Sequence, residues 1–335
     1  MKYVVYGAGA IGGVLAAGMH AAGDDVVVIA RGAHLDAIQA DGLRVDTPDR
    51  STVVPVRAVG HPRELDLTND HMVLLAMKGQ DTERALEALA EAAPPELVIA
   101  CVQNGVENER RALRWFGNVY GVVVMAPAAH LEPGVVAAYS APLRGVLDVG
   151  RAPTGTDAVA SELAAAFERA GFSAVAQPDI MAWKYRKLLM NLGNIVEALC
   201  ARGSEAGDVV RALHDEGAAA LAAAGIAYVT TDQDRERRDG ILNPQPIDGR
   251  HRDGGSTWQS VARGMPSLET PYLNGEIVLL GREHGVPTPV NEACCALAIE
   301  AVRDHLPNNS VPPSRFWRHS GGRIPHFLTP KRGLT

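Results

Sequence analysis

The chain has 335 residues, of which 47% are hydrophobic and 21% charged, and its formal net charge is −7. This is an ordinary globular composition, and the length suits two domains better than one. The acidic balance argues against a nucleic-acid surface, while leaving room for a local cationic pocket.

The chain opens on a β-branched and aromatic run, 2–6, that ends at glycine. Residues 10–22 then read as a helix of small residues, and 25–30 as a strand apolar throughout, as expected when both faces are covered. Further strands are expected at 52–58, 72–77, 96–102, 119–125, 134–139, 144–149 and 173–176. Helices are expected at 80–93, 106–115 and 156–170. Strands alternating with helices predict an α/β domain with a doubly wound, mainly parallel sheet.

The texture changes near Gln177-Pro178-Asp179. β-branched runs nearly vanish, and helical patterns take over at 180–200, 206–224, 256–264, 271–285 and 288–305. The chain therefore divides into 1–178, an α/β domain; 179–306, an all-α domain; and 307–335, a tail. The tail holds Pro307, Pro312, Pro313, Pro325 and Pro330, and only basic charges from Ser314 onward. Residues 230–255 are charged and rich in Gly and Pro. They read as a long loop, either a lid or locally disordered.

Cys101, Cys200, Cys294 and Cys295 form no CxxC pair and no Cys/His cluster with zinc spacing, so no metal site is expected. Cys294 and Cys295 read as small apolar fillers of a helix. Few scattered thiols suit a reducing cytosol, and a cytoplasmic location is expected. No signal peptide is expected ahead of the first strand, and the apolar run from Gly117 to Leu131 is broken by proline and too short to cross a membrane.

Gly7, Gly9 and Gly12 form G-x-G-x-x-G directly after a strand and at the opening of a helix. Gly7 permits the tight turn, Gly9 lets backbone approach a pyrophosphate, and Gly12 lets helix and strand pack closely. With Ala8, Ala10 and Ile11 they would bind a dinucleotide at the helix N-terminus. The second strand ends at Arg31, where an NAD site usually carries an acid. A guanidinium can take a 2′-phosphate through two hydrogen bonds, which points to NADP(H). The plainer alternative is a solvated arginine at a strand end. Lys78 and Asn104 emerge at the ends of two further apolar strands, where ligands gather in open α/β sheets.

In WKYRKLLMNLGN, residues 183–194, an apolar helix carries Lys187, Asn191 and Asn194. On one continuous helix they sit at about 0°, 40° and −20°, a single polar stripe. Lys184, about 60° away, reads as a lysine at the solvent edge.

GAGAIGG, Arg31, LAMKGQDT, VQNGVENE, WKYRKLLMN and ETPYLNGEI, in this order, resemble the ketopantoate reductase (2-dehydropantoate 2-reductase) family from residue 1 to about 303. The resemblance implies a Rossmann domain, a helical domain and a cleft between them. It implies NADPH-dependent reduction of a branched 2-oxo acid to a 2-hydroxy acid, as in pantothenate biosynthesis. It makes Lys187 the catalytic lysine, Glu269 the active-site glutamate, and Asn191 a substrate-binding asparagine. Asn104 would meet cofactor and substrate, Lys78 the cofactor, and the Ser256-Thr257 pair the far end of the substrate. Ile195 stands where the family has a second asparagine, and Asn194 comes one residue earlier. Pro271 replaces a common aspartate, with Thr270 then reading as an N-cap and Pro271 as the first helical residue. These departures bear on which 2-oxo acid is used.

Such a reduction needs a proton or positive charge at the developing alkoxide and donors for the substrate carboxylate. Lys187 supplies the first; Asn191, Asn194, Ser256 and Thr257 supply the second. Two other readings keep the fold: an imine or opine-type NADP reductase, and an NADP(H)-sensing protein without turnover. The expected partner is a small molecule, with neither nucleic acid nor membrane. The apolar helices of the second domain are as compatible with a homodimer as with a self-contained core.

Overall fold

A computed structural model describes residues 1–201 and 203–319. In chain order the elements are β1 (Lys2–Tyr6), α1 (Ala10–Ala21), β2 (Asp25–Ile29), α2 (Gly32–Asp41), β3 (Leu43–Asp46), β4 (Ser51–Val54), β5 (Arg57–Val59), β6 (His71–Leu75), α3 (Thr82–Ala90), β7 (Val98–Cys101), α4 (Asn108–Ala112), β8 (Asn118–Met125), β9 (Ala128–Glu132), β10 (Val135–Ala138), β11 (Val146–Arg151) and α5 (Ala158–Arg169). The remainder is helical: α6 (Ile180–Asn191), α7 (Asn194–Leu199), α8 (Ser204–Ala223), α9 (Thr231–Arg238), α10 (Ser256–Ala262), α11 (Asn274–His284), α12 (Pro289–Arg303) and α13 (Ser314–His319). Two compact units result. One holds Met1–Arg186 and Tyr228–Arg252; the other holds Lys187–Ala227 and the described residues from Asp253 onward.

In the first unit a seven-stranded sheet runs β11-β8-β7-β6-β1-β2-β5, parallel except for the antiparallel edge strand β11. The chain starts at β1, winds out through β2 to β5, then crosses back to β6. This is the doubly wound Rossmann arrangement, with its switch point between β1 and β6. Both faces are covered. Tyr3, Val5, Met72 and Leu74 enter one core, and Val4, Val73 and Leu75 enter the other.

A second, four-stranded sheet, β4-β3-β10-β9, lies on the far side of α1. This explains the small residues of α1. A Cβ on Gly12 would stand 2.9 Å from Ala76 Cβ, and one on Gly13 would stand 2.9 Å from Val136 Cγ1. Every residue from Gly12 to Met19 is buried. Two strands of this sheet, β3 and β9, and helix α2 were not expected from the sequence. The expected strand 52–58 is split: Pro55 interrupts it, and its halves β4 and β5 join different sheets. Proline removes a donor from a ladder, so a strand breaks there. Residues 173–176 make only isolated bridges to β11.

Of the two readings of 230–255, local disorder does not hold, because the stretch opens on a helix. Thr230 and Gln233 form a capping box at the start of α9. From α9, Arg237 donates to Asp148 on β11 at 2.6 and 2.9 Å and to Ser173 Oγ at 3.0 Å. Asn243 Nδ2 donates to Ala141 O, and Arg252 Nε to Ala128 O, both at 3.1 Å. Arg237 and Arg252 thus anchor the stretch to β11 and β9.

In the second unit α8 packs on α11 and α12, α7 on α10, and α13 on α12. Leu188, Leu192, Leu213, Ile277, Leu297 and Phe316 are fully buried. Glu216 of α8 accepts from the amides of Val290 and Asn291, both at 2.9 Å, and so satisfies the N-terminus of α12. The tail is ordered as far as it is described. Asn309 and Val311 bond to the carbonyls of Ala198 and Leu199, and α13 follows. Residues 320–335, the rest of the expected basic tail, lie outside the described residues.

Candidate active site

The glycine-rich turn after β1 gives each glycine a distinct reason. Gly7 has φ +103°, and a Cβ there would meet the Met77 amide nitrogen at 2.7 Å. A Cβ on Gly12 would stand 2.0 Å from Gly7 O, so helix and turn touch only because it is absent. Gly9, the residue before α1, faces open space: nothing lies within 4 Å of its Cβ position. An open Gly9 before the free amides of a helix N-terminus is the cradle a pyrophosphate needs. Ala8 is buried, while Ala10 and Ile11 are half-buried in the first turn of α1.

His34 braces this turn and was not anticipated. Its Nδ1 accepts from the Gly134 amide at 2.8 Å, so its Nε2 carries the proton and donates to Ala8 O at 2.7 Å. A lone histidine in an unrecognised helix gave no signal in the sequence.

Arg31 leaves the end of β2, and Lys78 leaves the end of β6, next to β1 on its other side. The guanidinium of Arg31 is 76% exposed and pairs with Asp81, Nη2 to Oδ2 at 3.0 Å. Asn104, half-buried, follows β7 and is turned by Gly105 at φ +83°.

A buried polar network, absent from the sequence reading, joins these loops. Gln103 Nε2 donates to Met77 O at 2.9 Å and to Thr82 Oγ1 at 2.8 Å. Thr82 donates to Asn108 Oδ1, and Asn108 Nδ2 donates to Asn104 O at 3.0 Å. The loop bearing Lys78 and the loop bearing Asn104 are therefore one assembly. These buried hydrogen bonds hold the two loops against one another.

Lys184 belongs to this assembly, which corrects its reading as a solvent-edge lysine. It is 2% exposed and pairs with Glu109, 1% exposed, at 2.7 Å. Its ammonium also donates to Gln103 O at 2.8 Å and Val122 O at 3.2 Å. Gly121 leaves room for its stem: a Cβ there would stand 3.2 Å from Lys184 Cδ. Burial pushes the Glu109 carboxyl above its ordinary range, against the pull of the ammonium. The wheel could not show this, because Glu109 lies far away in sequence.

Lys187, half-buried, and Asn191, 5% exposed, stand one turn apart on α6. Asn194 does not continue their stripe on one helix. α6 stops at Asn191, Leu192 and Gly193 form a turn, and Asn194 opens α7. The carbonyl freed at Leu192 accepts from Asn274 Nδ2 at 3.0 Å, which ties the start of α11 to the break. Five residues before Asn274, Glu269 is 7% exposed and precedes a short 3-10 turn, Thr270–Tyr272. Thr270 is thus the first residue of that turn rather than a helix N-cap, and α11 begins at Asn274. Ser256, half-buried, and Thr257, buried, open α10, which packs on α7. Thus α7, α10 and the approach to α11 bring Asn194, Ser256, Thr257 and Glu269 into the unit that also holds Lys187 and Asn191. The described residues contain no cluster of His, Cys, Asp and Glu that could hold a metal, and no helix long and apolar enough to cross a membrane.

The family model for ketopantoate reductase PanE/ApbA matches residues 3–152, and the model for its C-terminal region matches 179–301. The chain belongs to the ketopantoate reductase family. It is an oxidoreductase of that family, acting on CH–OH groups. It is 30% identical to the 2-dehydropantoate 2-reductase of Mesorhizobium japonicum, across 89% of this chain and 96% of that protein. Among solved structures it is similar to a PanE/ApbA family ketopantoate reductase from Ralstonia eutropha, with TM-score 0.75 and 29% identity, across 91% and 99% of the two chains. D-mandelate dehydrogenase, solved with NADH and anilino(oxo)acetate, shares the fold at TM-score 0.73 and 22% identity, across 91% of this chain and 98% of that one.

Proposed function

We propose that this ketopantoate reductase family member reduces a 2-oxo acid, ketopantoate or a related branched one, with NADPH as reductant and Lys187 as general acid. The observation that carries the mechanism is the division between the two lysines of α6. The ammonium of Lys184 is committed to Glu109 and two carbonyls. Lys187, one turn before Asn191 on the same helix, is the lysine that matches the family motif.

The residues present fit the cofactor. Gly7, Gly9 and Gly12, with Ala8, Ala10 and Ile11, form the pyrophosphate cradle; Arg31 would take the 2′-phosphate; Lys78 and Asn104 would line the bound dinucleotide. When bound, the reduced nicotinamide supplies hydride. The protein supplies the rest. The Lys187 ammonium stabilises the developing alkoxide and gives it a proton. Asn191, Asn194 and the hydroxyls of Ser256 and Thr257 donate hydrogen bonds that fix the substrate's carboxylate and far end. Glu269 holds the ammonium or accepts from a substrate hydroxyl.

The test is loss of NADPH absorbance with a panel of 2-oxo acids. Ketopantoate or another branched 2-oxo acid should be turned over far faster than unbranched ones. NADPH binding without oxidation of any panel member would favour a sensing role instead.

A further inference from the structure

The end of β2 lacks the acid that would take a ribose 2′-hydroxyl, yet an acid arrives there from elsewhere. Asp81 comes from the loop after β6, and Arg31 from the loop after β2; these strands flank β1 on either side. The two side chains meet as a fork, Nη2 to Oδ2 at 3.0 Å and Nη1 to Oδ1 at 3.5 Å. A phosphate monoester takes the same guanidinium fork. Asp81 therefore stands on the donors that a 2′-phosphate would use.

We propose that Asp81 is a selectivity residue for the nicotinamide cofactor, competing with the 2′-phosphate of NADPH for Arg31 and accepting the ribose 2′-hydroxyl of NADH. The inference rests on the reading of Arg31 as the 2′-phosphate ligand. With NADPH bound, Arg31 turns from the carboxylate to the phosphate, and Asp81 remains beside a second anion, which weakens binding. With NADH bound, the Arg31–Asp81 pair stays closed and Asp81 has an acceptor lone pair for the hydroxyl. Side-chain exposures of 76% and 36% make the pair an easy one to open. The chain thus carries both halves of the usual NAD-or-NADP choice at one place.

The experiment measures dissociation constants of NADPH and NADH by cofactor fluorescence for the wild type, Asp81→Asn and Arg31→Ala. Asp81→Asn keeps the size and removes the charge at a partly exposed position. It should raise the preference for NADPH over NADH about fivefold or more, NADPH binding tighter and NADH weaker. Arg31→Ala should weaken NADPH and leave NADH nearly unchanged. If Arg31→Ala behaves so but Asp81→Asn leaves the preference within about twofold, the role of Asp81 is overturned while Arg31 stands. If Arg31→Ala weakens both cofactors equally or neither, the Arg31 reading itself fails, and this inference with it.

Discussion

At the scale of single residues, the glycine-rich turn and the two lysines of α6 show what spacing does and does not encode. G-x-G-x-x-G was legible because each glycine answers a local need, and the three Cβ environments differ as those needs differ. They can be separated by substitution. Gly12→Ala places a methyl 2.0 Å from Gly7 O and should cost several kcal/mol of stability, on the order of an overpacked core site. Gly9→Ala points into open space and should leave the melting temperature nearly unchanged while weakening dinucleotide binding about tenfold or more. Thermal denaturation and cofactor titration on the same two proteins check both, and equal stability losses would refute the assignment. Lys184 was misread for the opposite reason. Its partner Glu109 comes from α4 and its channel beside Gly121 from β8, both distant in sequence, and a helical wheel holds no record of them.

At the scale of elements, strongly periodic segments were legible and short ones were not. β1, β2 and β6 stand out as runs of adjacent large apolar residues and the long helices by their period, whereas β3 (LRVD) and β9 (AAHLE) are broken by charged or polar residues and show neither. The break between α6 and α7 was illegible because Gly193 keeps α-helical torsions, φ −76° and ψ −6°, and the interruption depends on a bond from the distant Asn274. One cap makes a testable case. Asp157 accepts from the Ala160 amide at 2.9 Å at the start of α5, and from the Tyr120 hydroxyl at 2.8 Å. Burial alone would raise its carboxyl; the bonds from Ala160, Tyr120 and Arg151 outweigh that and hold it below its ordinary range. A depressed carboxylate stabilises the fold above its unfolded pKa and loses that contribution as pH falls through the folded value. Asp157→Ala should therefore cost about 1 kcal/mol at neutral pH, typical of an N-cap, and progressively less in acid. A deficit that grows as pH falls would contradict it.

At the scale of the whole molecule, the class was legible and the chain path was not. Alternating strands and helices followed by helices alone gave the Rossmann and helical parts, and the family motifs named the chemistry. The return of 228–252 to the first unit could not be seen, because its charges find partners only across the fold. Asp148 and Arg237 are the centre of that return, with side-chain exposures of 1% and 16%. Arg237→Ala would leave a buried carboxylate without its guanidinium and should cost about 3–5 kcal/mol near neutral pH. Burial already raises the Asp148 carboxyl against the pull of Arg237, so its protonated form is favoured in the fold. That contribution is present below the unfolded pKa and lost as pH rises through the folded one. The deficit of Arg237→Ala should accordingly shrink in acid, where Asp148 is neutral, and urea denaturation at two pH values reads it. An equal deficit at both would show that the ion pair is not what holds the segment.

The central claim is that Lys187, and not Lys184, is the proton donor of a 2-oxo acid reductase. The most direct measurement is single-turnover NADPH oxidation by Lys187→Ala with saturating substrate, alongside NADPH affinity for the same protein. The account predicts a rate lower by roughly 10²–10⁴-fold, the usual contribution of a general acid, with NADPH affinity within about twofold of wild type. A near-normal rate would contradict it, as would a slow rate explained entirely by lost cofactor binding.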